Sequence, residues 1–158
     1  MKLSSCYLFK DLTHTQLNAL LKIIWEVRVP KGQFIIKEGQ PAEKLFVLKQ
    51  GAVELLLMVK NELENGDLEI PLALLRNPGD CTGTSALVAP HEYSLSARCF
   101  EESELQVIEY SDIKMLMLDD HELECILMKN LAQHLLNRLK ETRRELKIHF
   151  KTLFKSSH

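Results

Sequence analysis

The stretch Pro30–Leu57, PKGQFIIKEGQPAEKLFVLKQGAVELLL, decides the fold. Short apolar runs alternate in it with turn chemistry, at Lys31-Gly32, at Glu38-Gly39-Gln40-Pro41 and at Gln50-Gly51. Runs of five to eight residues punctuated this evenly predict antiparallel strands closed into a sandwich or roll. The same rhythm continues through LEIPLALL, YSLSARC and ELQVIEY. Asn65-Gly66 predicts a tight hairpin, because a type I′ turn needs positive φ at both central residues. Pro71 cannot donate to a ladder, so its strand is expected at an edge or at a bulge.

On either side of this zone the period changes. Towards the N-terminus, Leu17, Leu20, Leu21 and Ile24 recur at helical spacing. Thr13 and Gln16 have the spacing of a capping box, and Pro30 and Gly32 are read as the stop, which gives a helical lead over 8–27. The β-roll is expected over 29–110. Beyond it, Ser111 is the expected cap of a short helix, and Asp119 with Glu122 the start of a second, within helices over 111–150. A tail, 151–158, completes one domain over 1–158. No Gly or Pro follows Pro90, so nothing breaks the last helix. Leu123, Leu127, Leu131, Leu135 and Leu139 form a stripe along it, broad enough to predict a homodimer through this helix. The fold class is mainly β with flanking helices: a jelly-roll-like antiparallel β-roll with an N-terminal helix and a long C-terminal one.

At 158 residues the chain suits a single domain with a core of its own. A net charge of -2 sets no bias towards nucleic acid. Cys6, Cys81, Cys99 and Cys125 contain no CxxC pair, and read as reduced thiols packed like small hydrophobes. The start of the chain has no long apolar run of a signal peptide, and no run of about 18 apolar residues occurs anywhere. The expectation is a cytoplasmic protein. His121 and Cys125 stand four apart on a helix, but two ligands without a third do not make a metal site. No nucleophile elbow, P-loop or HExxH motif is present, so no enzymatic chemistry is expected.

The order of the turn motifs, more than any single one, resembles the cyclic nucleotide-binding domain family. The opening stretch is followed by a hairpin, by Pro78-Gly79-Asp80 and by CTGTSALVAPHEYSLSA where that family places its phosphate-binding cassette. ELQVIEYSDIKMLM and NLAQHLLNRLKETRREL resemble the closing strand and the long helix. The similarity runs from about Leu8 to Leu146. It implies a ligand pocket at Gly83, Thr84, Ser85, Ala86, Tyr93 and Ser94, in which backbone amides at a short helix meet a cyclic phosphate. Arg138 on the long helix stands where family members place a base contact.

Two positions depart from the family pattern. Where the family has Phe-Gly-Glu, this chain has Thr82-Gly83-Thr84, and Tyr93 occupies the place of the phosphate-binding arginine. Losing a charge-assisted phosphate contact costs about 1.5–3 kcal/mol. With the ribose contact also gone, affinity falls by on the order of a hundred-fold or more. Arg98 lies an odd number of residues from Tyr93 and is expected on the opposite strand face. Arg76 and His91 are the other nearby cations, and a solvated surface role is expected for all three.

The resemblance thus implies no resident cofactor and a degenerate cassette. The chain is expected to be a stand-alone signalling or interaction module acting through dimerisation or an unidentified protein partner. The alternative is a sensor of a cyclic nucleotide or another anion by non-standard contacts. Only twelve residues follow Leu146, too few for a helix-turn-helix, so no DNA-binding domain is expected. The basic segment Arg138–Lys155, with Leu146, Phe150, Leu153 and Phe154, is the candidate for a membrane or partner contact.

Overall fold

Thr13 closes the expected capping box: its side chain accepts from the Gln16 amide, and the Gln16 side chain accepts from the Thr13 amide. In the computed structural model, which describes residues 3–60 and 66–155, this box starts α1, His14–Leu21. The helix ends there, six residues before the expected Val27. The residues read as its last turn instead form β1, Ile24–Val29, paired antiparallel with Ser103–Glu109. Ile24 completes a helical stripe in sequence, yet Trp25, Val27 and Val29 are aromatic and β-branched residues that suit a pleated surface. Pro30 and Gly32 therefore end a strand, and the roll begins at 24.

Seven further strands follow: β2 Phe34–Ile36, β3 Lys44–Gln50, β4 Val53–Val59, β5 Leu68–Leu75, β6 Cys81–Thr82, β7 Ser96–Cys99 and β8 Ser103–Glu109. They form two four-stranded antiparallel sheets, ordered β1-β8-β3-β6 and β2-β7-β4-β5. Leu45, Phe46, Val47 and Leu48 are consecutive and all buried, as a strand covered on both faces requires. Pro71 lies on the edge strand β5, where the register with β4 slips by one residue between Leu56–Pro71 and Leu55–Ala73. Edge and bulge thus coincide at the residue that has no amide to donate. The strands flanking the expected Asn65-Gly66 hairpin pair from Val59 to Leu68. Asn65 itself lies outside the described residues.

Gly51, at φ 98°, turns β3 into β4 so close to the next crossing that a Cβ would stand 2.5 Å from the Glu102 carbonyl oxygen. The helices after the roll are α2, Tyr110–Asp119, and α3, His121–Lys155. Neither starts from its expected cap. Glu109 rather than Ser111 precedes α2. Asp120 rather than Asp119 caps α3, accepting from the Leu123 amide at 3.0 Å and from the Gln16 side chain at 2.9 Å. The second bond explains the choice: Asp120 ties α3 to α1 as well as capping it. The helix also outruns its expected end, taking in 151–155 of the supposed tail.

The leucine stripe divides. Leu123, Leu127 and Leu131 are buried in the chain's own core, whereas Leu135 and Leu139 are exposed, as is every residue from there to Lys155. Three of the five leucines read as a dimer stripe therefore hold the helix to its own domain. No helix among the described residues is long and apolar enough to cross a membrane.

Leu127→Ala, at a side chain with no exposure, is expected to destabilise the fold by about 2–5 kcal/mol in urea denaturation. Leu118→Ala, on the solvent face of α2, should cost no more than about 0.5 kcal/mol. Equal losses would contradict the packing described.

Candidate functional site

Gly83 is the pivot of the site. It lies in the left-handed region at φ 85° and leads into a single 3-10 turn, Thr84–Leu87. A Cβ at Gly83 would stand 2.5 Å from the Lys44 carbonyl oxygen and 3.3 Å from Ile36 Cδ1, so only glycine permits this approach of turn to strand. Ala86 and Leu87 anchor the turn in the core, leaving Thr84 and Ser85 half-buried at the rim of a cavity of about 240 Å3. Tyr93, Ser94 and Arg138 also line it. The structure thus brings together Gly83, Thr84, Ser85, Tyr93, Ser94 and Arg138, while Ala86 faces the core behind them.

Tyr93 is the position at which the resemblance places an arginine. Its ring is 8% exposed, and its hydroxyl donates to the Lys44 carbonyl at 2.8 Å and accepts from the Lys44 amide at 3.0 Å. Burial pushes this phenol above its ordinary range, so it stays a neutral hydroxyl. Nothing about it can replace a guanidinium. Arg98 does not either. It lies on β7, with Nε 2.7 Å from Glu54, NH1 2.8 Å from Glu69, and its guanidinium over the Phe34 ring. Arg76 pairs with Glu101 at 3.0 Å. His91 is not a free surface cation. Its Nδ1 lies 2.8 Å from the Ala86 carbonyl oxygen and its ring meets Tyr110, which fixes the loop after the cassette.

Arg138 is therefore the one guanidinium among the described residues that line the cavity, and no carboxylate lines it. Its NH1 lies 3.3 Å from Glu141. A larger cleft of about 870 Å3 shares Tyr93 and Ser94 but opens on the second sheet. Glu38, Asp67, Glu69 and Glu92 line it against Lys37 and Lys60. That surplus of two negative charges disfavours a phosphate.

The residue that sequence reasoning missed is Tyr7. It sits on a 3-10 turn, Tyr7–Phe9, and reaches into the cassette cavity. Its ring stacks on His134 of α3 at 3.8 Å between centroids and 9° between planes. Its hydroxyl meets the Thr84 side chain, and burial drives its pKa far upward. The turn is fastened to α3 by Asn130, whose Nδ2 donates to the Leu8 carbonyl at 3.0 Å and the Lys10 carbonyl at 2.8 Å. Leu8 and Phe9 have no exposure. Nothing in the sequence placed this segment, which precedes the Thr13 cap, at the cassette. His121 and Cys125, the pair at ligand spacing, are both exposed at the start of α3, and His121 lies 3.5 Å from Glu124.

A profile described as the cyclic nucleotide-binding domain matches residues 26–120, more than half of the chain. The cGMP-dependent protein kinase egl-4 of Caenorhabditis elegans is 30% identical over 82 residues, covering 51% of this chain and 10% of that protein. The chain thus spans about a tenth of the length of this relative. Among solved structures, the catabolite activator protein of Thermus thermophilus superposes with a TM-score of 0.70 at 28% identity, covering 90% of this chain and 62% of that one. The N-terminal domain of a transcriptional regulator from Streptomyces coelicolor has a TM-score of 0.70 at 23% identity, covering 87% and 94%. The last of these shows a shared fold alone.

His134 makes the site sensitive to pH. Burial, and then the nearby Arg138 charge, lower its pKa below the ordinary 6.5, with Glu141 and Asp80 opposing. The unfolded chain therefore binds the proton first as pH falls, and the stability contributed by neutral His134 is complete above about 6.5 and lost below it. His134→Phe keeps a stacking ring without the proton. Its urea midpoint is expected to fall less than that of the wild type between pH 7.5 and 5.5. Parallel losses would show that His134 is not the group responsible.

Proposed function

Because the chain belongs to the cyclic nucleotide-binding domain family, we propose that it is a regulatory binding module whose nucleotide pocket is closed by its own N-terminal segment. It would not hold cyclic AMP or cyclic GMP in the family's usual way. The observation that carries this reading is Tyr7 in the cassette cavity, stacked on His134 and facing Thr84. Three further features support it. Tyr93, in the arginine's place, spends its hydroxyl on the Lys44 backbone. Thr84 stands in place of the sugar-binding glutamate, and no other carboxylate lines the cavity. The space left is below the roughly 300–1,000 Å3 usual for small-molecule sites.

Members of this family are regulatory rather than catalytic, and the output in this reading runs through α3. Past Leu131 the helix projects from the roll with Leu135, Leu139 and Leu146 exposed. Intervals of four and seven residues match a coiled-coil seam. A second copy of the chain is the proposed partner, with a different helical protein as the alternative. A cytoplasmic location, where thiols are ordinarily reduced, belongs to the same reading.

One observation favours a second reading. Arg138 shares the cavity with Gly83, Thr84 and Ser85, so a cyclic phosphate that displaced Tyr7 would meet a guanidinium from α3. The module would then be a sensor in which ligand and Tyr7 compete, and α3 would report the exchange.

Titration calorimetry separates the two. The wild type should give no micromolar binding of cyclic AMP or cyclic GMP. Tyr7→Ala with Thr84→Glu and Tyr93→Arg should bind at least about a hundred-fold more tightly. Micromolar binding by the wild type, or no gain in a triple variant that circular dichroism shows to be folded, would defeat the closed-pocket reading. Sedimentation should show a dimer that Leu139→Glu with Leu146→Glu reduces to monomer.

A further inference from the structure

The segment that carries Tyr7 meets the strand before the cassette at a pair of sulfurs. Gly79, at φ 100°, lets the Ser5 backbone approach so closely that a Cβ at Gly79 would stand 2.9 Å from the Ser5 carbonyl carbon. The Ser5 hydroxyl donates to the Pro78 carbonyl at 3.5 Å. Cys6 follows Ser5 and Cys81 stands two residues past Gly79; the Cys6 thiol has no exposure and interacts with the Cys81 thiol. Cys81 belongs to β6 and lines the cavity that Tyr7 occupies. The other two cysteines stand apart. Cys99 is buried in β7 beside Ser103, and Cys125 is exposed on α3.

We propose that Cys6 and Cys81 are an oxidation site: a disulfide between them fastens the Tyr7 turn into the cassette cavity and makes the opening of the site depend on oxidants. Two thiols held side by side select the chemistry: once one is oxidised, the other can resolve it. A hydroperoxide is the oxidant in this scheme, entering from the cavity side where Cys81 is reached. The Cys81 thiolate attacks the peroxide oxygen, the O–O bond breaks, and Cys81 becomes a sulfenic acid. The Cys6 sulfur then attacks Cys81, an S–S bond forms, and the sulfenic oxygen leaves as water. With hydrogen peroxide the balance is two thiols and one peroxide to one disulfide and two waters. A dithiol reverses it.

The linkage is 75 residues apart in sequence, so closing it removes many conformations from the unfolded chain. Locally it would tie the turn that Asn130 already holds from the α3 side. The inference stands on the sulfur pair and holds whichever ligand the cavity takes, or none.

The test uses the full chain, reduced, freed of reductant and treated with hydrogen peroxide, on a Cys125→Ser background to remove the exposed thiol. Non-reducing peptide mass spectrometry should find Cys6 joined to Cys81 within one chain, with two thiols lost and dithiothreitol restoring them. Amide hydrogen exchange in residues 3–9 should slow by about tenfold or more in the oxidised form, and the thermal midpoint should rise by roughly 5–10 °C. Neither change should occur in Cys6→Ser or in Cys81→Ser; the second replaces a cavity-lining thiol and serves where the first fails to fold. Oxidation to sulfinic acid without the Cys6–Cys81 peptide would overturn the proposal. So would a cross-link that leaves exchange in residues 3–9 unchanged.

Discussion

The cassette is clasped to one peptide. Lys44, at the head of β3, gives its carbonyl to the Tyr93 hydroxyl and its amide to the same oxygen. The same carbonyl faces Gly83 so closely that no side chain fits between them. Both arms of the loop, the turn at 83 and the return at 93, are thus fixed against a strand that is buried along most of its length. A hydroxyl can do this because it donates and accepts at once. A guanidinium has no acceptor and would leave the Lys44 amide without this partner. In the proposed reading, a tyrosine in the place of the family's arginine changes what the loop is attached to, as well as what charge it carries.

The consequence reaches the long helix through one stacked pair. His134 follows Leu131, the last buried leucine of α3, and precedes Leu135, the first exposed one. The Tyr7–His134 contact therefore lies at the point where the helix leaves the domain. Below it, Leu123, Leu127 and Asn130 hold α3 to the core and to the N-terminal turn. Above it, the side chains of 135–155 are exposed. A ligand that needed the space of Tyr7 would have to break this stack, and its apparent affinity would fall by the fraction of time the stack is open. The same coupling runs in reverse: a partner that reoriented the projecting half of α3 would act on the stack.

Much of this was legible in residue order. Period and turn chemistry placed the strands, Pro71 marked the edge, and Thr13 with Gln16 marked the helix start. The order of the turn motifs pointed to the family whose profile matches residues 26–120. The misreadings share a cause. Ile24 continued a helical period by coincidence, because one residue cannot show whether its neighbours pair with Leu105–Ile108. Asp120 displaced Asp119 as cap because of a bond to Gln16, 104 residues away. The leucine stripe looked uniform because spacing reports which face is apolar, not where the domain beneath it ends. Tyr7 was invisible for the same reason: its partners Thr84 and His134 are long-range.

In the proposed reading, the two departures from the family pattern also belong together physically. A cavity that kept the arginine without the glutamate or a bound phosphate would hold a half-buried cation with no counter-charge, at a desolvation cost that pairing does not offset. One that kept only the glutamate would hold an unpaired anion beside an apolar ring. With a threonine at 84 and a tyrosine at 93, each polar group finds a neutral partner inside the chain: Thr84 meets the Tyr7 hydroxyl and Tyr93 meets Lys44. Tyr7 then supplies the aromatic surface that the cavity wall and His134 bury. The site is neutral at its floor, filled from within, and left with a single charge at its mouth, Arg138 on the helix that projects from the domain.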